Sequence, residues 1–510
     1  MNVLSFRNKA KNSKTALYFG APEAEAESLP TSRVALSDVY EDHHDLHNEL
    51  DSEKFIVVGR KGAGKSAFAE YTYLLSQNEP NIFCSFIRQD VVSLEKLVQL
   101  GTENQDMVSK EQLFKWLIYT NILGLFFQNE AIREASEFNL LKEFLKKNSG
   151  FIDVNKGEII ELVKKYNFEI NIEQFKRFFK GKIGKDIQIK EARAPFYKLI
   201  PHLETVIVSC LNSEFEKDNK NEYIIFFDDL DIGFNAESDQ SLTTIMDLLR
   251  STKHVNNNVF AKNGIPAKVI ILIRDDVERV LSTQGADIAK IFSSYATRLD
   301  WYQDEYQTVN EDQVGLKKLI ERRARYAFRR ANLDIKENTA WEALIKDDFS
   351  PKSSFKYIAD HTYLRPRDLI LFFKPLEGGV YNIPLNKQSV NNLLGLYSAE
   401  LIKELTNELS SFYTSIQVQN IFEALKEINE VYDCSYERAK KIILDNCTAV
   451  DPVVLLNDLF ERSIIGNVHS EKGYVKFVYR VSKKDTNNYR LNECECIIIH
   501  SGVKIYLERR

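Results

Sequence analysis

Phe55-Ile56-Val57-Val58 is an apolar run that stops at Gly59-Arg60-Lys61-Gly62-Ala63-Gly64-Lys65-Ser66, and a helical pattern takes over at Ala67. The spacing is G-x-x-x-x-G-K-[ST] without a gap, and no other stretch constrains the chain so strongly. Each residue type answers a chemical need. Glycines let successive backbone N–H groups converge on phosphate oxygens, Lys65 reaches the β- and γ-phosphates, and the Ser66 hydroxyl is a ligand for Mg²⁺. The helix that follows aims its positive end at the same anion. The competing explanation is an ordinary glycine turn between strand and helix. The chain has only 20 glycines in 510 residues, and such a match arises by chance in below about one sequence in a hundred. A strand, a phosphate-cradling loop and a helix are therefore predicted, with Gly59, Arg60, Lys61, Gly62, Ala63, Gly64, Lys65 and Ser66 around a nucleoside triphosphate.

A chain of 510 residues is too long for one core and predicts about three domains. Its 44% hydrophobic and 28% charged residues are those of a soluble globular protein. No apolar run approaches the roughly 20 residues of a membrane span, so no membrane partner and a cytoplasmic location are expected. Met1 to Lys14 carries Arg7, Lys9, Lys11 and Lys14 without an apolar core and is expected to be a frayed basic tail. The six cysteines are scattered, and all are read as reduced thiols. A net charge of -6 argues against a general nucleic-acid coat, so nucleic acid is a partner the charge does not indicate.

Along the chain, His43 and His47 share a helix face that could hold a metal, although a solvated polar face is the simpler reading. Asn81 to Ile87 reads as a second strand, completing a βαβ opening. From Ser93 to about Asn212 the pattern is helical, with amphipathic segments such as Gln112 to Phe127 and Phe138 to Lys147. Within it, Phe175-Lys176-Arg177-Phe178-Phe179-Lys180-Gly181-Lys182 interleaves rings and cations, as nucleic-acid surfaces sometimes do. An amphipathic helix with its lysines in water explains the same pattern.

Tyr223-Ile224-Ile225-Phe226-Phe227 then ends in Asp228-Asp229-Leu230-Asp231. A buried parallel strand with acids at its C-terminal end puts charge where ligands of open α/β sheets bind. Asp228 is the expected Mg²⁺ partner, together with Ser66, and Asp229 the group that orients or deprotonates the attacking water, with Asp231 as the spare base. Ala267 to Ile273 is another such run, tipped by Arg274, which is placed to report on the γ-phosphate. Arg298 precedes a fifth short strand, and a role at a neighbouring subunit's site or within the chain suits it equally. Leu316 to Ala331 is a helix crowded with arginine and lysine. Arg365 and Arg367 flank Pro366 at a helix start, the wrong end for that helix's dipole, and are expected to serve an external anion as lid arginines over the nucleotide. Past Leu401 come mixed-charge helices, then strands expected at Gly473 to Val481 and Cys496 to His500.

Together, Gly59 to Ser66, Asp228-Asp229-Leu230-Asp231, Arg274 and Leu364-Arg365-Pro366-Arg367-Asp368 resemble the bacterial P-loop ATPases of the STAND and KAP type, relatives of AAA+ proteins. The resemblance covers about residues 18 to 375. It implies ATP rather than another nucleotide, Mg²⁺, a homo-oligomer, a protein effector partner, and a place in bacterial antiviral defence where nucleotide state controls assembly. The expected fold class is α/β: a P-loop NTPase with an AAA+-like parallel sheet flanked by helices, a helical insertion, a helical lid and a C-terminal winged-helix-like α+β module. The expected division is a tail at 1–17, an ATPase core at 18–92 and 213–310, the insertion at 93–212, the lid at 311–400 and the last module at 401–510. The alternative function is a DNA-binding ATP switch resembling replication initiators.

Overall fold

The computed structural model describes residues 16–88, 109–148, 169–212, 220–230, 234, 238–302, 311–469, 473, 475–480 and 490–509. These fall into two compact units, one of Asp42–Lys61 and Lys65–Leu299, the other of Met1–Glu41, Gly62–Gly64 and Asp300–Arg510. Among the described residues no helix is long and apolar enough to cross a membrane.

In the first unit the strands are β1 (Ile56–Gly59), β2 (Ile82–Ile87), β3 (Glu169–Asn171), β4 (Arg193–Pro195), β5 (Glu222–Phe227), β6 (Ala267–Arg274) and β7 (Ala296–Arg298). Five of them form one parallel sheet in the order β2-β5-β6-β1-β7. Parallel strands need crossovers, and helices supply them: Lys65–Asn78 leads from β1 to β2, and Asp275–Gln284 with Ala286–Tyr295 leads from β6 to β7. Because helices cover such a sheet, its strands are apolar without alternation. Ile56, Val57 and Val58 are buried, as are Tyr223, Ile225, Phe226 and Phe227. The architecture is the α/β P-loop NTPase fold that the motif predicts.

Lys110–Phe126 corrects one expectation. It is not amphipathic but buried on nearly every side, as a helix apolar all round must be. It packs on β2 and β5 and against the helices Asp239–His254 and Ile200–Leu211, so Trp116, Leu117 and Ile122 share a core with the sheet strands. A capping box between Ser109 and Gln112 starts it. In the helix Glu173–Ile183, Phe175, Phe178 and Phe179 are buried in that same core, while Lys180 pairs with Asp186 and Lys182 with Glu137. Its rings are packing, not a stacking platform for bases. Asp239–His254 runs into a π-helical turn, Val255–Phe260. There Asn256 Nδ2 donates to Val269 O (2.8 Å) and Val269 N–H donates to Asn256 Oδ1 (2.9 Å), so a side chain satisfies buried strand backbone. The helix Leu46–Asp51 starts after His43, so the pair shares no helix face and His47 has a partner of its own. Its ring and backbone N–H bond Asp42, and although burial works against the charge, these bonds hold that carboxyl at about 2.

The second unit is mostly helical. Gly315–Arg330 carries the run of cations, and its inward-facing Arg323 is buried, donating from Nη1 and Nη2 to the Glu27 carboxylate (2.7 and 2.8 Å) and to Phe19 O (2.9 Å). Arg322 donates to Asp38 O, and Arg325 pairs with Glu321. Pro366–Phe373, Lys387–Leu409, Ser415–Glu430, Tyr436–Asn446 and Pro452–Glu461 follow. A three-stranded antiparallel sheet of β8 (Ile465–Val468), β9 (Val475–Lys476) and β10 (Cys496–Ile499), ordered β10-β8-β9, comes next, and the helix Ser501–Arg509 follows it. Tyr474 lies outside the described residues, and among those described in the strand expected over Gly473 to Val481 only the two of β9 pair as strand. Val478–Arg480 turns into a 3₁₀ helix, and Val481 lies outside the described residues. The sequence reading missed β8, which begins four residues after a helix ends. Helices and an antiparallel sheet make this part of the chain α+β, and its helix Ser501–Arg509 packs against Lys387–Leu409.

Candidate functional site

The parallel register sets the site. Gly59 pairs with Arg274, Val58 with Arg298 and Ile87 with Phe227, so the strand ends of β1, β2, β5, β6 and β7 lie at one edge of the sheet. Past β1 the loop turns through Gly62 at φ +80° and Gly64 at φ +106°, conformations that cost a side-chain-bearing residue dearly. Lys65 opens the P-loop helix, and its Nζ donates to Gly59 O (2.7 Å) and Arg60 O (3.3 Å), which holds the ammonium over its own loop. Lys61 is partly exposed beside it.

Ser66 Oγ donates to Asp228 Oδ1 (3.2 Å), linking the first turn of that helix to the end of β5. Asp228 is buried, and its N–H extends the ladder to Ile87 O (3.2 Å). Its neighbour Asp229 sits at φ +58°, in the left-handed region, and donates its N–H to Asp228 Oδ1 (3.1 Å). Aspartate tolerates that conformation better than most side chains, and such positions gather at functional sites. Asp231 lies outside the described residues. A hydroxyl and a carboxylate form the hard oxygen set that suits Mg²⁺, so Ser66 and Asp228 fit the ion the fold implies.

Two residues the sequence reading did not single out join them. Glu70 is buried on the P-loop helix, and Arg88, just past β2, binds its Oε1 through Nη2. The same Nη2 lies 3.7 Å from Asp228 Oδ2, and the guanidinium rests 3.8 Å from the centre of the Phe86 ring. A signal existed: Glu70 stands four positions after Ser66 and therefore on the same helix face.

At the tip of β6, Arg274 forks onto Asp276, with Nε donating to Oδ1 at 3.0 Å and Nη2 bound to Oδ2. Between them stands Asp275. Burial alone would push its carboxyl up, but Arg279, Arg60, Lys65 and Arg274 outweigh it and hold the group below its ordinary value. Arg298 pairs with the buried Glu278 at 2.9 Å, an intramolecular partner.

In the second unit, Trp301 Nε1 donates to Ala63 O (2.6 Å) and Arg367 N–H to Gly62 O (3.4 Å). A methyl group on Gly62 would stand 2.9 Å from Arg367 Cβ. The Arg367 side chain donates from Nε to Pro22 O (3.1 Å) and lies 3.6 Å from Glu404 Oε1. Arg365 corrects the argument that both arginines must serve an external anion. It is 2% exposed and forks onto Asp368 (Nη2 to Oδ1 2.7 Å, Nε to Oδ2 3.0 Å), with Glu404 Oε2 at 3.0 Å. The acids that answer its charge come from its own first turn and from the helix Lys387–Leu409.

Comparison with known proteins adds four similarities. A family model described as the FunZ-associated C-terminal helical domain matches residues 314–406. The chain is 25% identical over 418 residues to the "Putative transposon gamma-delta 80.3 kDa protein" of Escherichia coli (strain K12), covering 78% of this chain and 53% of that one. It is 26% identical over 168 residues to "Allergen Alt a 2" of Alternaria alternata, covering 32% of this chain and 80% of that one. This chain thus spans about half the length of the Escherichia coli relative, as the 53% coverage states. The crystal structure of Cdc6p from Pyrobaculum aerophilum aligns over 89% of this chain and 93% of its own, at 13% identity and a TM-score of 0.29, a level that carries no argument. The fold assignment rests on the sheet order and the loop.

Proposed function

We propose that this protein binds and hydrolyses ATP, and that its nucleotide state controls oligomerisation or a protein effector in a bacterial antiviral defence system. The observation that carries the enzymatic half is the Ser66–Asp228 hydrogen bond, which joins the P-loop helix to an acid-tipped parallel strand. In this reading Lys65 leaves its loop carbonyls for the β- and γ-phosphates and neutralises charge there. The Gly62 and Gly64 backbone lets amide N–H groups approach the phosphates. Ser66 and Asp228 would hold Mg²⁺, which supplies charge neutralisation across the phosphate oxygens. Asp229 orients the water and takes its proton, and Arg274 exchanges Asp276 for the terminal phosphate. The defence assignment is supported by the resemblance to STAND and KAP ATPases. The transposon in the name of the Escherichia coli relative fits a gene carried among mobile elements.

Lys65→Ala is expected to abolish binding of a fluorescent ATP analogue and phosphate release while circular dichroism stays that of the wild type. Unchanged turnover in that folded variant would remove the assignment. Arg367→Ala is expected to weaken the affinity for ATP more than for ADP, because a guanidinium beside the loop turn reads the terminal phosphate. Equal losses for both nucleotides would make the residue structural. Light scattering with and without ATP tests the assembly, and an unchanged mass argues against nucleotide-controlled oligomerisation.

A further inference from the structure

The two oxygens of the Asp228 carboxylate have different neighbours. Oδ1 accepts from Ser66 Oγ and from Asp229 N–H, whereas Oδ2 faces Arg88 Nη2 at 3.7 Å. That guanidinium is also bound by Glu70, whose side chain is 5% exposed, and lies over the Phe86 ring. A buried carboxylate on the P-loop helix therefore shares one cation with the acid at the end of β5. The register makes this a property of the fold: Ile87 pairs with Phe227, so the residue after each strand stands beside the other.

We infer that Arg88 and Glu70 set the Mg²⁺ affinity of this site, Arg88 by competing with the metal for the charge of Asp228 and Glu70 by drawing Arg88 away from it. The inference rests on the ATP-site reading above and adds two positioning residues to it. Its consequence is a pair of effects of opposite sign. Without the Arg88 charge, both carboxylates are left to attract a divalent cation. Without the Glu70 charge, Arg88 loses the acid that draws it away and turns toward Asp228. One unit charge within several ångströms of a bound ion is enough to move its affinity by about tenfold, even when screened as at a protein surface.

The test titrates MgCl₂ against the full-length protein mixed with mant-ATP, a fluorescent ATP analogue, and reads the Mg²⁺ concentration at half-maximal binding. Arg88→Met is expected to lower that concentration by about tenfold and Glu70→Gln to raise it by a similar factor. Arg88→Lys, which keeps the charge, is expected to stay within about twofold of the wild type. A merely structural pair would weaken the site in both single variants, so shifts in the same direction, or none, overturn the inference while leaving the ATP site standing. Failure of the wild type itself to bind mant-ATP overturns the ATP-site reading and this inference with it. Should Arg88→Met not fold, an unmoved midpoint in Glu70→Gln is sufficient to overturn it.

Discussion

Asp229→Asn is expected to keep ATP bound while slowing hydrolysis by about a hundred to ten thousand fold, the usual contribution of a positioned acid–base group. Asp228→Asn is expected to fail earlier, at Mg²⁺-dependent binding. The two neighbours separate because the structure gives them different surroundings. Asp228 is buried and accepts from Ser66, the hydroxyl that shares its proposed ion. Asp229 is partly exposed and turns the chain out of the strand at φ +58°. Asparagine adopts that left-handed conformation as readily as aspartate does, so the substitution removes a base without straining the backbone. A slow variant also accumulates the ATP-bound conformer, and with it whichever assembly ATP favours. Nucleotide affinity and single-turnover hydrolysis of both variants, measured side by side, decide the matter. Wild-type hydrolysis by Asp229→Asn together with a stalled Asp231→Asn would move the base two residues along the chain.

The parts of this site that lie close together in sequence were legible before the structure. Buried parallel strands announce themselves as apolar runs, and those of β1, β2, β5 and β6 each end at a glycine, a charge or a carboxylate. Distance along the chain hid the rest. Arg88 and Asp228 meet only because β2 and β5 are neighbours, which no local pattern states. The helix Lys110–Phe126 was misread because a stretch with an apolar residue at nearly every helical position carries no periodicity to reveal a second buried side. At the lid, the dipole argument pointed Arg365 and Arg367 to an external anion, but a helix start also gathers its own acids. Asp368, three residues on, accepts the N–H groups of Tyr363 and Arg365 through Oδ2 as well as the Arg365 side chain. That pattern was present in Arg365-Pro366-Arg367-Asp368 and favours an internal pair as strongly as an external anion.

Arg365→Ala is consequently expected to cost stability, about 3–5 kcal/mol, the range for removing one partner of a buried ion pair. Burial would favour an uncharged Arg365, but Asp368, Glu404 and Glu408 more than offset it and hold the guanidinium charged well above its ordinary range. Take the arginine away and Asp368 is left fully buried beside Glu404 without the fork that answers its charge. Glu404 already shows the tendency: burial raises its carboxyl, and the pull of Arg365 does not fully reverse this. A carboxyl raised in the folded state favours folding below its unfolded value and loses that contribution as pH climbs through the folded one. Removing Arg365 raises Glu404 further, so the deficit of the variant should grow from acid toward neutral pH. Thermal melting across that span, with Arg367→Ala as the half-exposed comparison, checks both sign and size. If Arg365→Ala melts with the wild type at every pH but loses its preference for ATP over ADP, the guanidinium reads nucleotide and the carboxylates around it are only its resting place.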